Sequence, residues 1–177
     1  MRAGRDSDAN QSSFSWLFPR ALFAFVALPG TVAGVIPAMI VYGKSSRHGG
    51  SGMAGFGLLG VGLLLLLWCV RDFYVRGKGT LAPWQPPKHL VVVGLYRYVR
   101  NPMYLAVLTI VLGWSVTFGS ASLLLYLVAL AIGFHLRVML YEEPRLRRQF
   151  AEEWVAYSAS VRRWVPRLTP RQDAKRR

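Results

Sequence analysis

The sequence predicts an all-α integral membrane protein. Four transmembrane helices are expected, the third and fourth paired as a hairpin, followed by a C-terminal amphipathic helix on the membrane surface. Three observations carry this. Of the 177 residues, 53% are hydrophobic and 17% charged, a balance that comes from long apolar runs of bilayer-crossing length. The basic residues behind the net charge of +14 flank those runs instead of interrupting them. After the last run, apolar residues recur at spacings of three and four, the signature of a one-faced helix. Basic residues in that flanking arrangement, with no single stripe interleaved with aromatics, argue against nucleic acid as a partner.

Residues 1–19 are polar, and the first apolar run is too long for the core of a cleavable signal, so none is expected. The first span runs from about Ala21 to Tyr42. Pro29 and Pro37 predict a kink, and Gly30 and Gly34 form a small-xxx-small pair that permits close helix approach. A polar glycine-rich loop with a solvated His48 follows. The second span, about Met53 to Val75, contains Gly55-Phe-Gly57-Leu-Leu-Gly60. That string fits a dinucleotide-binding pattern but has no preceding strand, so its glycines are read as helix-packing positions. The lone cysteine, Cys69, reads as a small buried hydrophobe. Arg71 and Asp72 close the span. Residues 1–75 thus form an N-terminal tail with two helices, and residues 76–177 a second unit.

That unit opens with a polar segment in which Pro83, Pro86 and Pro87 forbid helix, Trp84 suits an interfacial anchor, and Leu90 to Val93 is apolar. It ends in Gly94-Leu-Tyr-Arg-Tyr-Val-Arg-Asn-Pro-Met-Tyr104. Asn101 before Pro102 is a helix start: Asn caps, and proline gives up an amide that has no partner there. The amides that follow, the positive end of the helix dipole, and Arg97 and Arg100 favour an anion. Tyr96, Tyr98 and Tyr104 add aromatic faces. The third span, Pro102 to about Phe118, turns at Gly119-Ser120 into a fourth, about Ser122 to Tyr141. His135 and Arg137 lie near its end, where each should face protein, water or the interface. Glu142-Glu143-Pro144 follows, and Pro144 predicts a bend. Leu146, Phe150, Trp154, Tyr157 and Val161 then mark the apolar face of the surface helix, and the tail from Arg162 is basic.

A hairpin brings its two ends together, so Arg100-Asn101 and Glu142-Glu143 are expected to meet. Placing both termini in the cytoplasm puts most Lys and Arg on that side, and with them this corner. Amides and arginines facing two carboxylates suit a zwitterion with an amino-acid moiety. An interfacial salt-bridge cluster that only fixes the hairpin would look the same.

The pattern GLYRYVRNPMY, an apolar hairpin, then EEP and FAEEWVAYSASVRRWVPR resembles the isoprenylcysteine carboxyl methyltransferase-like group of membrane methyltransferases, to which phospholipid methyltransferases are close. The resemblance covers about residues 76–167. It implies S-adenosylmethionine as methyl donor, bound at the cytosolic face by Lys88, His89, Leu90, Val91, Tyr96, Asn101, Pro102, Met103, Tyr104 and Glu143; Arg100 joins this set from its position in the corner. Eukaryotic members have His where this chain has Asn101, and an Arg, used for the substrate carboxylate, where it has Met139; Arg137 is nearby but out of register. The acceptor therefore stays open among lipophilic groups: an isoprenylcysteine carboxylate, a phospholipid or a small lipophilic thiol. An amine acceptor would need a base, for which His135 and Glu142 are candidates; with Arg137 they form the candidate catalytic set. No metal cluster, catalytic triad or phosphate loop is seen. A nicotinamide-dependent membrane reductase is opposed by the acids, and a non-enzymatic protein holding anionic lipid through its basic tail is the third reading.

Overall fold

The computed structural model describes residues 28–43, 52–76, 90 and 92–171. The start of the first span, the loop with His48, the proline segment with Trp84, and the end of the basic tail lie outside them. The described residues are mostly helical, with no strand among them. We number the helices α1 (Leu28–Tyr42), α2 (Gly52–Arg76), α3 (Pro102–Phe118), α4 (Ala121–Arg137) and α5 (Glu143–Ser160). A 3-10 turn, Gly94–Arg97, precedes α3.

Two helical stretches, within Gly52–Asp72 and Ala121–Ser160, are long and apolar enough to cross a membrane; Leu28–Tyr42 and Pro102–Phe118 are shorter apolar helices. Of the four expected spans, two therefore reach crossing length. Their outward faces are apolar: Leu64, Leu67, Leu125 and Ile132 are all exposed. Exposed apolar side chains of this kind are at home in lipid.

Glycine sets the packing of α2 on α3. A methyl group added at Gly62 would stand 2.8 Å from the Ile110 amide nitrogen, and one at Gly113 2.8 Å from the amide of Leu59. One at Gly55 would meet Thr117 Oγ1 at 2.1 Å. Backbones this close leave no room for a side chain. Of the dinucleotide-like string only Gly55 makes such a contact; Gly57 and Gly60 face open space. Gly30 and Gly34 also meet nothing within 4 Å, so the expected small-residue seam on α1 is not a packing surface among the described residues. The core here joins Ala33, Val107 and Ile110, with Leu59, Trp114, Leu130 and Phe134 around them. The α3–α4 turn is as the sequence predicts: Gly119 takes the left-handed conformation (φ 59°) and Ser120 Oγ accepts from the Leu123 amide.

Where the sequence predicts a bend at proline, the structure has a widened turn. A π-turn, Thr31–Val35, ends two residues before Pro37, and a second, Val138–Glu142, ends two residues before Pro144. A proline ring crowds the carbonyl four residues back and offers it no amide. Widening the preceding turn by one residue relieves both. The helix therefore runs on from α4 into α5, and the break falls later, at Ala151 (φ 32°). The stripe Phe150, Trp154, Tyr157 and Val161 is buried, but against Leu90, Val92 and Leu146. The face expected to lie on the membrane is used instead to hold the loop before α3.

If the α2–α3 approach carries the fold, Gly62→Ala lowers the thermal unfolding midpoint of the detergent-purified protein, overpacking costing about 1–3 kcal/mol. Gly57→Ala leaves it unchanged or raises it, through helix propensity of up to about 1 kcal/mol. Equal effects of the two would contradict the close approach.

Candidate active site

Gly94 opens the polar corner with φ 52°, a left-handed conformation that glycine adopts freely. The position has a second demand: a Cβ there would lie 1.6 Å from Oδ2 of Asp72, a residue 1% exposed. The end of α2 thus seats the 3-10 turn. Tyr96 within that turn is half-buried; its carbonyl accepts from the Tyr157 hydroxyl at 2.8 Å, and burial pushes its own hydroxyl well above the usual tyrosine range. Burial likewise raises Tyr157, against a smaller opposing effect of Arg100 and Arg171.

Residues 162–171 then run back along this turn as a strap. The Arg100 amide donates to the Arg162 carbonyl (3.0 Å), the Arg167 amide to Tyr98 (2.9 Å) and the Arg171 amide to Arg97 (3.0 Å). Asn101 stands at the head of α3, but its side chain does not cap the helix. It turns to the strap, Nδ2 donating to the Arg163 carbonyl at 3.2 Å. This corrects the expected capping role and leaves the first-turn amides of α3 without a side-chain cap. Pro102 is buried at the helix start and Met103 partly so.

The hairpin brings this corner to the acids. Glu143 accepts from Arg100 Nη1 at 3.0 Å and from both arms of the Arg163 fork, Nε and Nη2, at 2.7 Å each. Its side chain is 18% exposed. The same hydrogen bonds hold the Arg163 guanidinium charged beyond its ordinary range. Neighbouring residues on a helix point about 100° apart, and Glu142 finds different partners: the Tyr104 hydroxyl donates to it, and so does Arg137 Nε at 3.0 Å. Three guanidiniums thus face two carboxylates, an excess of positive charge beside uncapped amides. An aromatic group lies alongside: Tyr104 packs on Phe134 (centroids 4.4 Å) and faces Trp164 (6.5 Å). Trp164 Nε1 donates to His135 Nδ1 at 3.1 Å.

So the structure gathers Arg100, Asn101, Pro102, Tyr104, His135, Arg137, Glu142 and Glu143 around one end of the hairpin. Tyr96 sits in the neighbouring turn. Leu90 stands apart with the α5 stripe, its amide donating to Glu153 Oε2 (2.9 Å); Lys88, His89 and Val91 lie outside the described residues. Arg163 and Trp164 were missed. The only local signal for them is a basic and aromatic run directly after the amphipathic helix, and nothing in that run says which acid it reaches. No group of three or more His, Cys, Asp or Glu side chains able to hold a metal occurs among the described residues.

The family model described as Phospholipid methyltransferase matches residues 51–153. The match takes in α2, the glycine turn, the Asn-Pro helix start, the hairpin and both acids, and stops before the strap. No curated protein and no solved structure matches the chain. Since the matched stretch is more than half of the sequence and contains the corner and its acids, the chain belongs to the phospholipid methyltransferase family.

Proposed function

We propose that this membrane methyltransferase uses S-adenosylmethionine and methylates a lipophilic acceptor at the cytoplasmic face. The observation that carries the reading is the Arg100–Glu143 ion pair of 3.0 Å, which puts an anion-seeking helix start and a carboxylate within the span of one amino-acid moiety. The groups present fit such a donor. The uncapped amides of α3 and the surplus of guanidinium charge suit its carboxylate. A carboxylate has about four lone-pair positions; three donors occupy Glu143, which leaves one for an ammonium group. Tyr104 and Trp164 offer ring faces for an adenine. When bound, the donor supplies an already electrophilic methyl group.

The chain's own part is therefore alignment and exclusion of water. Orientation alone supplies roughly 7–11 kcal/mol in well-aligned reactions. The hydrogen bonds of the three candidate catalytic residues support a different role for each. His135 Nδ1 accepts from Trp164, so Nε2 carries the ring proton and no lone pair is free to take another. His135 positions Trp164. Arg137 stays protonated and pins Glu142. Glu142 is the group left to receive a proton from an amine acceptor, as a phospholipid headgroup amine would require. Arg145, Arg147, Arg148 and Arg162, all exposed around this end of the molecule, support the cytoplasmic placement.

Titration calorimetry of the detergent-purified protein is expected to show saturable binding of S-adenosylhomocysteine; absence of heat would overturn the assignment. Glu143→Gln weakens that binding at least tenfold, about 1.4 kcal/mol, while the exposed Glu152→Gln does not; a melting curve alongside separates lost binding from lost fold. In a second assay, radiolabelled donor is followed into membrane extract. With an amine acceptor Glu142→Gln loses more than tenfold in rate, and His135→Gln keeps at least a tenth of it. A hundredfold loss in the His135 variant would return the base role to that ring.

A further inference from the structure

A cavity of about 520 Å³ lies between α2, the 3-10 turn, the start of α3 and the strap. That volume is in the range of small-molecule and lipid sites. None of Tyr104, His135, Glu142 or Glu143 lines it, so it is not the corner described above, although Pro102 borders both. Its walls are apolar: Leu65 and Trp68 from α2, Leu95 and Val99 from the turn, Leu105 from α3, and prolines of the strap. Leu65 and Trp68 belong to the membrane-length stretch of α2, and Trp68 is 52% exposed. The cavity thus reaches the outer, lipid-compatible face of that helix, with an indole at the rim of the kind that settles at bilayer interfaces.

Among the described residues one charged side chain lines this space, that of Arg97. It is held from two sides: its Nε donates to the Arg171 carbonyl at 2.7 Å, and its own carbonyl accepts from the Arg171 amide at 3.0 Å. The terminal nitrogens of the guanidinium pair with no acid among the described residues. A fixed, forked cation over an apolar cavity matches an amphiphile with a phosphate head. No carboxylate is among its described lining residues, which sets it apart from the acid-rich corner: an ammonium-bearing headgroup gains nothing from them, whereas a net-negative one does. The strap beside it exposes Val165 (55%) and Leu168 fully, which continues the apolar surface outward between arginines.

We propose that this cavity is a binding site for an anionic phospholipid of the host bilayer, one acyl chain among Leu65, Leu95, Val99 and Leu105 and the phosphate on Arg97. The lipid is not the methyl acceptor. It ties α2 to the strap, and the strap supplies Arg163 to Glu143.

The test is thermal unfolding of the delipidated, detergent-purified full chain with phosphatidylglycerol, with phosphatidylcholine of the same chains, or with inorganic phosphate. Phosphatidylglycerol is expected to raise the unfolding midpoint by several degrees and the other two to leave it within about one degree. Arg97→Gln removes the difference between the lipids. Leu65→Trp, which fills the cavity without touching the charge, does the same and keeps the test alive should the Arg97 variant fold poorly. Equal shifts with both lipids would mean that the site does not read headgroup charge, and a phosphatidylglycerol shift that survives in both variants would mean that the general basic surface binds the headgroup; either result would overturn the proposal. A shift reproduced by phosphate alone would overturn the acyl-chain half of it. Donor binding is not read in this experiment, so its outcome is independent of the methyltransferase assignment.

Discussion

The structure around the hairpin end depends on one carboxylate. Glu143 is held by a fork from the strap and by Arg100 from the loop before α3. It joins three pieces of chain distant in sequence. Removing one member of a buried pair costs roughly 3–5 kcal/mol, because the remaining charge is stranded; at 18% exposure water softens that figure. An interaction of this sort adds little net stability over an apolar substitute, yet it is particular about geometry. Only one arrangement of strap, loop and helix satisfies the fork.

The strap explains why the acids and the helix start form a single place and not merely two neighbouring ends. A hairpin brings its ends to about one helix spacing, which leaves side chains to find each other. Here the backbone pairing of residues 97–100 with 162–171 fixes the loop. The Phe150–Val161 stripe clamps the segment at Leu90 and Val92 from beneath, and Asp72 seats Gly94. Of these contacts, the one made by the stripe uses a face that the amphipathic pattern alone would assign to the membrane surface.

Much of this was legible in the sequence, for definite reasons. Asn-Pro marks where α3 begins, Gly119-Ser120 marks its turn, and two helices of similar length must return Glu142-Glu143 to Arg100. Periodicity found the α5 stripe. It could not say what the stripe covers, since lipid and a folded loop ask for the same residues. The side chain of Asn101 was misread because capping is a local preference, and a carbonyl of the strap competes for the same amide. Arg163 and Trp164 were invisible because their partners are settled by tertiary contact. Pro144 was read as a bend because the remedy, a π-turn upstream, leaves no trace in residue type.

Those two widened turns have a consequence for how such a chain can vary. Each holds one more residue per turn than its surroundings, which resets the azimuth of every side chain beyond it. Between α4 and α5 the widened turn ends on Glu142 and directly precedes Glu143, so the proline and the extra residue together determine which compass direction each carboxylate takes. Loss of the proline would leave the surplus residue without a cause, and loss of the surplus residue would swing both acids by about a quarter of a turn. The two are expected to come and go as a unit among relatives, a coupling written in helix phase and not in any contact between side chains.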